Sequence, residues 1–581
     1  MQATEHVHSK SNIRRRSAQE MAKITLAKDT RMKQEMTKYI SRTEAERQIK
    51  ELQAELNRLF NRKAQSYDED KNITLSQMLA HVKQNHQPPT NHDFGFDVTS
   101  SDHTPVNRTL PDLRHDKCKL AKFDLTSLPT VTVITPFHNE AVTMLLRHIH
   151  ALVNNSPPQL LKEIILVDDV SSLENLGEDL ETYVRVLDKR IKLIRNKERQ
   201  GVSRSRMAGA DAATSEVLVF LDSHMECTTG WLEPLVARLV SQSNLVVQPL
   251  LPNIFTVENS YVEENMRGAF DWDLSYAWSP TPTYIKLPAE APFPTPALTG
   301  CAIAVTKQYF YHLGGFDPAF EIWGGEHFEL AFRTWMCGGR LEVVPCSMVG
   351  HLYKLLTHDF LGDGKIIRAK NNLRVAEIWM DEYKEFIYAS YRSKLKLPTF
   401  SEKELKSIEA RRELRRKLKC GSFKNYIEMF PELIVPPKDS LYFGAVKNTK
   451  TSYCLVVQPN GYVGVGDKEC GGWRILPEEQ FIIDREGRLM LGELCIGVDG
   501  NTTLLRANKN NCDNSKWKWT LNSRKRLGTG LLEITGPAGR YCVVHNRGDT
   551  QGKGVVELAS CNTTSNQVWS FAHKFDFGVS R

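Results

Sequence analysis

At 581 residues, the chain exceeds the roughly 250–300 residues at which a single hydrophobic core stops growing, so we expect two or more domains. Its composition, with 41% hydrophobic, 25% charged and 9% aromatic residues, is that of a folded globular protein and excludes collagen, a disulfide mini-scaffold and wholesale disorder. The net charge of +7 equals the surplus of residues 1–63, which carry 15 basic and 8 acidic side chains. The remainder is neutral, and the composition predicts no nucleic-acid-binding surface on the folded body.

Residues 1–63 contain neither glycine nor proline, and this part of the chain predicts a basic helical stem. Four aliphatic side chains have the 3-4-3 spacing of a coiled-coil seam: Ile49, Leu52, Leu56 and Leu59. The stem either self-associates through this seam or is a solvated helix without a partner. Residues 64–111 are rich in Asn, His, Asp, Pro and Thr with few large apolar side chains, which predicts an extended linker.

Short β-branched and aliphatic runs alternate with helical stretches over residues 112–437. The runs lie at 131–135, 164–167, 191–194 and 217–221. This βαβ alternation predicts an α/β domain with a Rossmann-like, mostly parallel sheet, whose ligands bind beyond the carboxyl ends of the strands. Acidic residues follow two of the runs, and they are Asp168, Asp169 and Asp222.

Residues 441–581 have an all-β pattern that repeats three times. Cys454, Cys495 and Cys542 open the repeats at intervals of 41 and 47 residues. A second cysteine follows each of them after 16, 17 and 19 residues: Cys470, Cys512 and Cys561. One aromatic side chain per repeat is available to fill a shared core: Phe481, Trp519 and Trp569. Three such units predict a β-trefoil, in which each closed loop adds roughly 3 kcal/mol if the cysteines are oxidised.

The twelve cysteines bear on the compartment in which the chain resides. They do not form the CxxC pairs of a zinc site, and disulfides of the secretory pathway explain their spacing better. Five N-glycosylation sequons agree with that pathway, at Asn72, Asn107, Asn154, Asn501 and Asn562. However, the sequence shows no run of about 18 apolar residues and no apolar signal-peptide core after Met1. We expect a secretory protein without its anchor; a cytosolic protein with reduced thiols is the alternative.

Asp222 and His224 follow the run at 217–221, with Ser223 between them. Residues i and i+2 of an extended segment project to the same side, so the carboxylate and the imidazole converge at the edge of the sheet. A hard oxygen ligand and one imidazole suit Mn²⁺ or Mg²⁺ better than structural zinc. Taken alone, such a triplet is more often a surface acid beside a packed histidine, so the prediction needs a wider context.

Several longer motifs supply that context. They are FHNE at 137–140, RQG at 199–201, FDW at 270–272, WGGE at 323–326, FRTWMCGG at 332–339, VPC at 344–346, VGH at 349–351 and WMDEY at 379–383. In this order they closely resemble the polypeptide N-acetylgalactosaminyltransferases over about residues 110–437. Residues 441–581 resemble the ricin-type lectin domain that this family carries behind its catalytic domain.

The resemblance implies a retaining glycosyltransferase with a GT-A catalytic domain and a lectin-type trefoil. Such an enzyme moves GalNAc from UDP-GalNAc to Ser or Thr hydroxyls of proteins in the Golgi lumen, which initiates mucin-type O-glycosylation. In the front-face mechanism of this class, the departing phosphate oxygen takes the proton of the acceptor, so no protein nucleophile is required.

The resemblance also assigns roles to individual residues. Mn²⁺ is expected to bind Asp222, His224 and His351. The UDP-sugar is expected to contact Asp169, Arg199, Asp222, Ser223, Gly300, Trp323 and Glu326. Trp323, Glu326 and Lys354 are expected to act at the sugar and the leaving group. Two disulfides are implied, Cys118–Cys346 and Cys337–Cys420, with Cys227 and Cys301 left as buried thiols. The alternative, from its position alone, is that Asp169 caps a helix after its strand.

The chain departs from the family pattern near the sugar and the phosphates. Pro136, Cys301, His327 and Lys354 replace the usual residues, and the loop at 355–365 lacks the family's aromatic, Pro-Gly lid sequence. Lysine at 354 keeps the positive charge but loses the bidentate fork of arginine. Because lid closure completes such sites, a second hypothesis is a weakly active or inactive member that binds UDP, metal or peptide and modulates O-glycosylation. A cytosolic lectin scaffold is a third.

The trefoil has lost the residues that bind sugar in ricin-type repeats. In such repeats an Asp follows the Cys-Leu pair, whereas the corresponding residues here are Val456, Gly497 and Val544. None of them accepts a side-chain hydrogen bond. Asp499 is the nearby carboxylate that could substitute. We therefore expect a folded trefoil with weak sugar sites.

Overall fold

The computed structural model describes residues 67–68, 73–74, 77–80, 94–254, 266–282, 285–354, 360–469, 475–500, 502–512, 517–526, 528–537, 539–546, 555–562 and 564–578. The predicted stem at 1–63 and residues 355–359 of the loop at 355–365 lie outside these ranges. Among the described helices, none combines the length and the apolar character that a membrane span requires.

The described part of the segment 64–111 differs from the extended linker that its composition predicts. A two-stranded hairpin, β1 Tyr67–Asp68 and β2 Ile73–Thr74, comes first, and helix α1 covers Val98–His103. Phe94, Phe96 and Leu110 are buried against the α/β domain, in a cluster with Met144 and Leu352. Of the other described apolar side chains, Val98 joins this cluster, and Met78 and Val106 join the main core of the α/β domain, so burial outweighs the polar composition of the segment.

The α/β domain consists of eleven strands and eleven helices in the described residues. The strands are β3 Val131–Phe137, β4 Leu161–Asp168, β5 Ile191–Arg195, β6 Val217–Leu221, β7 Met225–Cys227, β8 Leu245–Leu250, β9 Met266–Phe270, β10 Tyr276–Pro280, β11 Phe293–Pro294, β12 Ala302–Thr306 and β13 Arg340–His351. The helices are α2 Asp116–Leu120, α3 Val142–Asn155, α4 Glu178–Leu187, α5 Gly201–Ala212, α6 Leu232–Val240, α7 Lys307–His312, α8 Glu326–Met336, α9 Gly364–Trp379, α10 Lys384–Arg392, α11 Glu402–Lys417 and α12 Phe423–Met429.

The main sheet has the strand order β11-β13-β8-β12-β6-β3-β4-β5, and β7 pairs with β13. The strands β6-β3-β4-β5 are parallel, as the βαβ pattern predicts, and β8 and β13 are parallel as well. Strand β12 runs antiparallel between β6 and β8. The sheet is therefore mixed. A strand parallel to its neighbours is reached by a crossover connection that returns to the opposite edge of the sheet. Strand β12 instead starts at the carboxyl edge, where Ala302 pairs with Leu221, and so runs antiparallel.

Burial explains why the predicted strands form. Every residue of β6 (VLVFL) is buried, and β3 and β4 are almost completely covered as well. Strands covered on both faces by helices are continuously apolar rather than alternating, and this is the pattern seen in the sequence. The parallel register places Phe137 beside Asp168, so polar residues that follow β3, β4 and β6 meet at one edge.

Twelve antiparallel strands follow the α/β domain. They are β14 Ser440–Asn448, β15 Tyr453–Val457, β16 Val463–Glu469, β17 Phe481–Asp484, β18 Leu489–Leu491, β19 Leu494–Val498, β20 Leu505–Asn508, β21 Lys518–Arg526, β22 Thr529–Gly536, β23 Gly539–Asn546, β24 Val555–Ala559 and β25 Val568–Lys574. Phe481, Trp519 and Trp569, one from each repeat, are buried in one core. The predicted β-trefoil is confirmed.

Two tryptophans repeat the same hydrogen bond in successive units of the trefoil. The indole of Trp519 donates to the carbonyl of Ile496, and that of Trp569 donates to Val543, both at 2.9 Å. Each acceptor directly follows the first cysteine of its repeat. The first repeat has Phe481 at this position, and a phenyl ring has no donor.

Four disulfides are present in the described residues: Cys118–Cys346, Cys337–Cys420, Cys495–Cys512 and Cys542–Cys561. The first two are the pairs that the resemblance implies. Cys454 is also disulfide-bonded, whereas Cys470 lies outside the described residues. Cys227 and Cys301 are buried thiols.

Candidate active site

A cavity of about 1450 Å³ lies at the carboxyl ends of the parallel strands. Its walls come from the residues after β3, β4 and β6, from the end of β13, from the start of α8 and from the β9–β10 hairpin. All the site residues that the resemblance assigns line it: Asp169, Arg199, Asp222, Ser223, His224, Gly300, Trp323, Glu326, His351 and Lys354. The fold thus brings together residues spread over 186 positions of the chain.

Asp169, directly after β4, organises the start of helix α5. Its carboxylate accepts the backbone N–H groups of Gln200 at 2.7 Å and Gly201 at 2.8 Å, and it pairs with the guanidinium of Arg199. The hydrogen bonds therefore support the helix-cap alternative for Asp169, although it caps α5 rather than the next helix in sequence. Asp169 and Arg199 also line the cavity, so a nucleotide contact by them stays a prediction.

Asp222, His224 and His351 form the acid-and-histidine cluster that the sequence predicts. Their ligand atoms lie within 4.8 Å of one another, and the two imidazole rings have centroids 5.1 Å apart. Within the described residues, neither ring nitrogen of His351 has a hydrogen-bond partner, although the residue is only 8% exposed. Burial, together with His224 and Lys354, holds the pKa of His351 well below its ordinary value. The neutral ring therefore offers a lone pair.

This donor set fits a divalent cation. Nδ1 of His224 is 2.9 Å from Oε2 of Glu140, so its Nε2 is the nitrogen available to a metal. Asp222 supplies a hard oxygen ligand. Its Oδ1 also accepts a hydrogen bond from Nη2 of Arg206 at 2.9 Å. One carboxylate with two imidazoles suits Mn²⁺, with substrate oxygens completing the sphere.

Glu140 is the site residue that sequence reasoning missed, although the FHNE motif contains it. It is 4% exposed and accepts hydrogen bonds from Ser223 at 2.8 Å and from Nζ of Lys354 at 2.6 and 2.7 Å, besides its contact with His224. Burial opposes its ionisation, but Lys354 and His224 hold the pKa of Glu140 well below its usual range. The signal was present, because Glu140 is an acid just after a buried strand.

Glu326 opens helix α8 at the other side of the cavity. Its carboxylate accepts the N–H of Gly324 at 2.9 Å, and it lies 3.6 Å from Nδ1 of His327. Burial alone would raise the pKa of Glu326, but His327 and the charge of Arg206 bring it to about 2. Glu326 is therefore a carboxylate at neutral pH and accepts hydrogen bonds.

The residues that depart from the family pattern line the same cavity. Nε2 of His327 is buried without a partner in the described residues, and Gly300 leaves room for this ring, since an added Cβ would lie 3.1 Å from the His327 Cβ. Burial and Asp222 raise the pKa of the Cys301 thiol to about 12, so it is not a nucleophile. Lys354 lies over the ring of Phe96 at 5.4 Å.

Comparison with known proteins identifies the class of this fold. Residues 132–314 match the family model described as glycosyl transferase family 2, and residues 283–359 match the model described as the N-terminal domain of galactosyltransferase. The crystal structure of GalNAc-T7 with UDP, GalNAc and Mn²⁺ superposes with a TM-score of 0.56 at 28% identity, covering 88% of this chain and 92% of that one. The α/β domain has the GT-A fold of glycosyltransferases.

Curated relatives are more specific. Mouse polypeptide N-acetylgalactosaminyltransferase 6 is 37% identical over 430 residues, which are 71% of this chain and 68% of that protein. The rat polypeptide N-acetylgalactosaminyltransferase 10 is 40% identical over 371 residues. That alignment covers 62% of this chain and 60% of the rat protein, so it spans less than two thirds of this relative's length. The chain belongs to the polypeptide N-acetylgalactosaminyltransferase family.

Proposed function

We propose that this protein transfers GalNAc from UDP-GalNAc to Ser or Thr hydroxyls of proteins, with retention at the anomeric carbon. The observation that carries the proposal is the meeting of Asp222, His224 and His351 with Glu326 in one cavity of a GT-A fold. The GalNAc-T7 structure, which holds UDP, GalNAc and Mn²⁺, supports it.

The chain's own residues bind and orient the reactants. Asp169 and Arg199 would contact the uridine half of the donor, and Trp323 and Glu326 would contact the sugar; all four line the cavity. Asp222, His224 and His351 would hold Mn²⁺, which when bound supplies positive charge to the diphosphate leaving group. Ser223 and Gly300 also line the cavity and would contact the sugar-phosphate. Ionised Glu326 accepts hydrogen bonds from sugar hydroxyls and holds the ring in place.

The transfer needs no protein nucleophile. The bond from the anomeric carbon to the phosphate oxygen breaks, and the acceptor oxygen bonds to the same face of that carbon. The hydroxyl proton of the acceptor passes to the departing phosphate oxygen, so atoms and charges balance. Lys354, whose side chain is 19% exposed, lines the same cavity and would supply an ammonium to the phosphates.

Location in the lumen of the secretory pathway, in the Golgi apparatus, is part of this proposal. The proposal is supported by two disulfides, which join parts of the chain separated by 228 and 83 residues. Such bonds persist in oxidising compartments. Self-association through a coiled coil in the stem stays a prediction, since residues 1–63 lie outside the described ranges.

A second candidate function is a UDP- and metal-binding family member with little turnover. It is favoured by the engagement of Lys354 with both oxygens of Glu140, which draws the ammonium away from a phosphate. One assay separates the two. Purified protein is incubated with UDP-GalNAc, Mn²⁺ and Ser/Thr-containing peptides, and mass spectrometry detects an added N-acetylhexosamine. Transfer supports the first candidate, whereas UDP binding without transfer supports the second.

A further inference from the structure

The trefoil contacts the α/β domain through a buried histidine. His573 lies on β25, is 3% exposed, and has its Nε2 2.6 Å from Oδ1 of Asp271. Its ring is parallel to that of Phe575, with centroids 6.1 Å apart, and Phe575 lies 5.8 Å from Phe386 of helix α10. His573 therefore joins a polar contact to an apolar interface between the domains.

Asp271 begins the turn of the β9–β10 hairpin, which is part of the cavity wall. The N–H of Asp271 donates to the carbonyl of Ser275 at 2.9 Å, and the N–H of Leu274 donates to the carbonyl of Asp271 at 2.7 Å. Leu274 has a φ of 55°, a conformation that costs energy for a branched side chain. Such a turn persists only when its surroundings hold it.

The hairpin has the trefoil on one side and the cavity on the other. Leu274, Ser275, Tyr276 and Trp278 line the cavity, and the carbonyl of Trp278 accepts the N–H of Ile475 from the trefoil at 2.9 Å. The ring of Tyr276 lies 6.3 Å from that of His327, beside Glu326. The hairpin thus borders the sugar end of the proposed site.

We propose that His573 is a positioning residue of the transferase site, which acts through Asp271 to hold the β9–β10 hairpin where sugar and acceptor meet. This inference rests on the proposed function for its catalytic consequence, while the mechanical link between the domains is independent of it. The trefoil contributes to transfer by supporting this wall, even without binding sugar.

The charges around His573 make this link dependent on pH. Burial would lower the pKa of His573, but Asp271 and Asp273 outweigh burial and the opposing Lys394 and raise the pKa above its ordinary value of 6.5. Lys394 also donates to Asp273 at 2.7 Å. Because the folded pKa is raised, the link is fully formed below about pH 6.5 and weakens as pH rises through the folded pKa.

Hydrogen exchange of the full chain tests the mechanical link. His573→Gln should accelerate exchange of residues 266–280 about fivefold or more at pH 6, after correction for intrinsic rates. The matched control is His545→Gln, since His545 is equally buried and bonds Thr451 within the trefoil. Asp271→Asn should reproduce the effect from the other domain. Unchanged protection of 266–280 in His573→Gln, or equal acceleration in His545→Gln, overturns the proposal.

The pH profile and kinetics test the consequence. After correction for intrinsic exchange rates, exchange of residues 266–280 in the wild type should accelerate as the pH rises above 6.5 through the raised pKa of His573, and His573→Gln should lose this dependence. Its kcat/KM for peptide should fall about tenfold, whereas its affinity for UDP with Mn²⁺ should stay within about twofold. An equal loss of UDP affinity overturns the positioning role. A wild type that transfers no sugar refutes the proposed function alone, because the exchange comparison still decides the link.

Discussion

Glu140 shows how a buried charge is tolerated beside the proposed metal site. A carboxylate removed from water needs a hydrogen-bonded partner for each charge, and here it has an ammonium, an imidazole and a hydroxyl. The contact with Nδ1 of His224 fixes which nitrogen of that ring faces Asp222 and His351. One buried acid therefore orients a metal ligand and holds Lys354 at the same time.

Removing the proposed metal carboxylate should uncouple cation and nucleotide binding. In Asp222→Asn the hard oxygen anion is lost while the size is kept, so we expect Mn²⁺ affinity and Mn²⁺-dependent UDP affinity to fall at least about tenfold. Calorimetric titrations of Mn²⁺ and then UDP measure both, and the melting temperature checks folding. Undiminished Mn²⁺-dependent UDP affinity would show that the metal assignment is wrong.

Lys354 contacts both carboxylate oxygens of Glu140, a pair of acceptors that the planar guanidinium of an arginine could also bind. Because Nζ already contacts both oxygens of Glu140, a guanidinium can keep this pair and still face a phosphate with its remaining donors. Lys354→Arg should therefore preserve or raise turnover, whereas Lys354→Met should lower UDP affinity by about tenfold and leave the buried Glu140 without its ammonium partner. Steady-state kinetics and melting curves measure both. A large loss of turnover in Lys354→Arg with unchanged folding contradicts the prediction.

The start of helix α5 depends on one glycine. Gly201 has a φ of +76°, and a Cβ there would lie 2.4 Å from Cα of Ile322, next to the WGGE loop. Gly201→Ala should displace the helix start from Asp169 and weaken UDP binding about tenfold, with a loss of stability of about 1–3 kcal/mol. Gly338→Ala is the matched control, since its φ is +83° but nothing lies within 4 Å of an added Cβ. Equal UDP affinity in both variants would exclude the steric mechanism.

The elements that the sequence predicts best are those whose burial is local. The aliphatic runs of β3, β4, β5 and β6 form strands that extend the predicted ranges by at most a few residues, and the capping box of Ser401 and Glu404 begins helix α11. Their apolar pattern or cap is contained in the element itself. The antiparallel direction of β12 was not readable, because it depends on how the chain returns to the sheet.

Contacts between distant residues were beyond the sequence. Lys354, which pairs with Glu140, is 214 positions away from it in the chain, and nothing in a single sequence pairs two such residues. The same holds for Phe94 and Phe96, whose burial depends on a surface built by α3 and the residue after β13. The site residues were named through resemblance, so the sequence supplied their identity and the fold supplied their geometry.

The two domains share a hydrophobic cluster, and this determines how the whole molecule behaves. Phe443, Ile482 and Phe575 of the trefoil pack with Phe386 and other side chains of the α/β domain. Arg392 also donates to the carbonyl of Asp576 at 2.5 Å. Because apolar burial drives this association, the trefoil is fixed to the catalytic domain rather than tethered by residues 437–441 alone. The repeat pattern of the trefoil sequence does not reveal this packing between the two domains.

The trefoil should bind GalNAc only weakly, since its three equivalent positions lack an acceptor. Val544 is 6% exposed, and an added Cβ at Gly497 would meet the side chain of Asn511 at 2.7 Å. The candidate substitute, Asp499, already accepts the hydroxyl of Tyr462 at 2.6 Å and lies 3.7 Å from Arg506. Each sugar hydroxyl left unpaired in a partly desolvated pocket costs about 1–3 kcal/mol.

Ligand-observed NMR of the full chain with GalNAc, without UDP or metal, measures this prediction. We expect no saturable transfer of magnetisation to the sugar at low-millimolar concentration, because the three positions equivalent to the sugar-binding Asp are Val456, Gly497 and Val544. Asp499→Asn is the control, since it removes the remaining carboxylate and retains the size and the contact with Tyr462. A saturable signal in the wild type that disappears in Asp499→Asn would contradict the prediction and assign the site to the second repeat. A signal that survives in Asp499→Asn but is displaced by UDP with Mn²⁺ would belong to the cavity of the α/β domain instead.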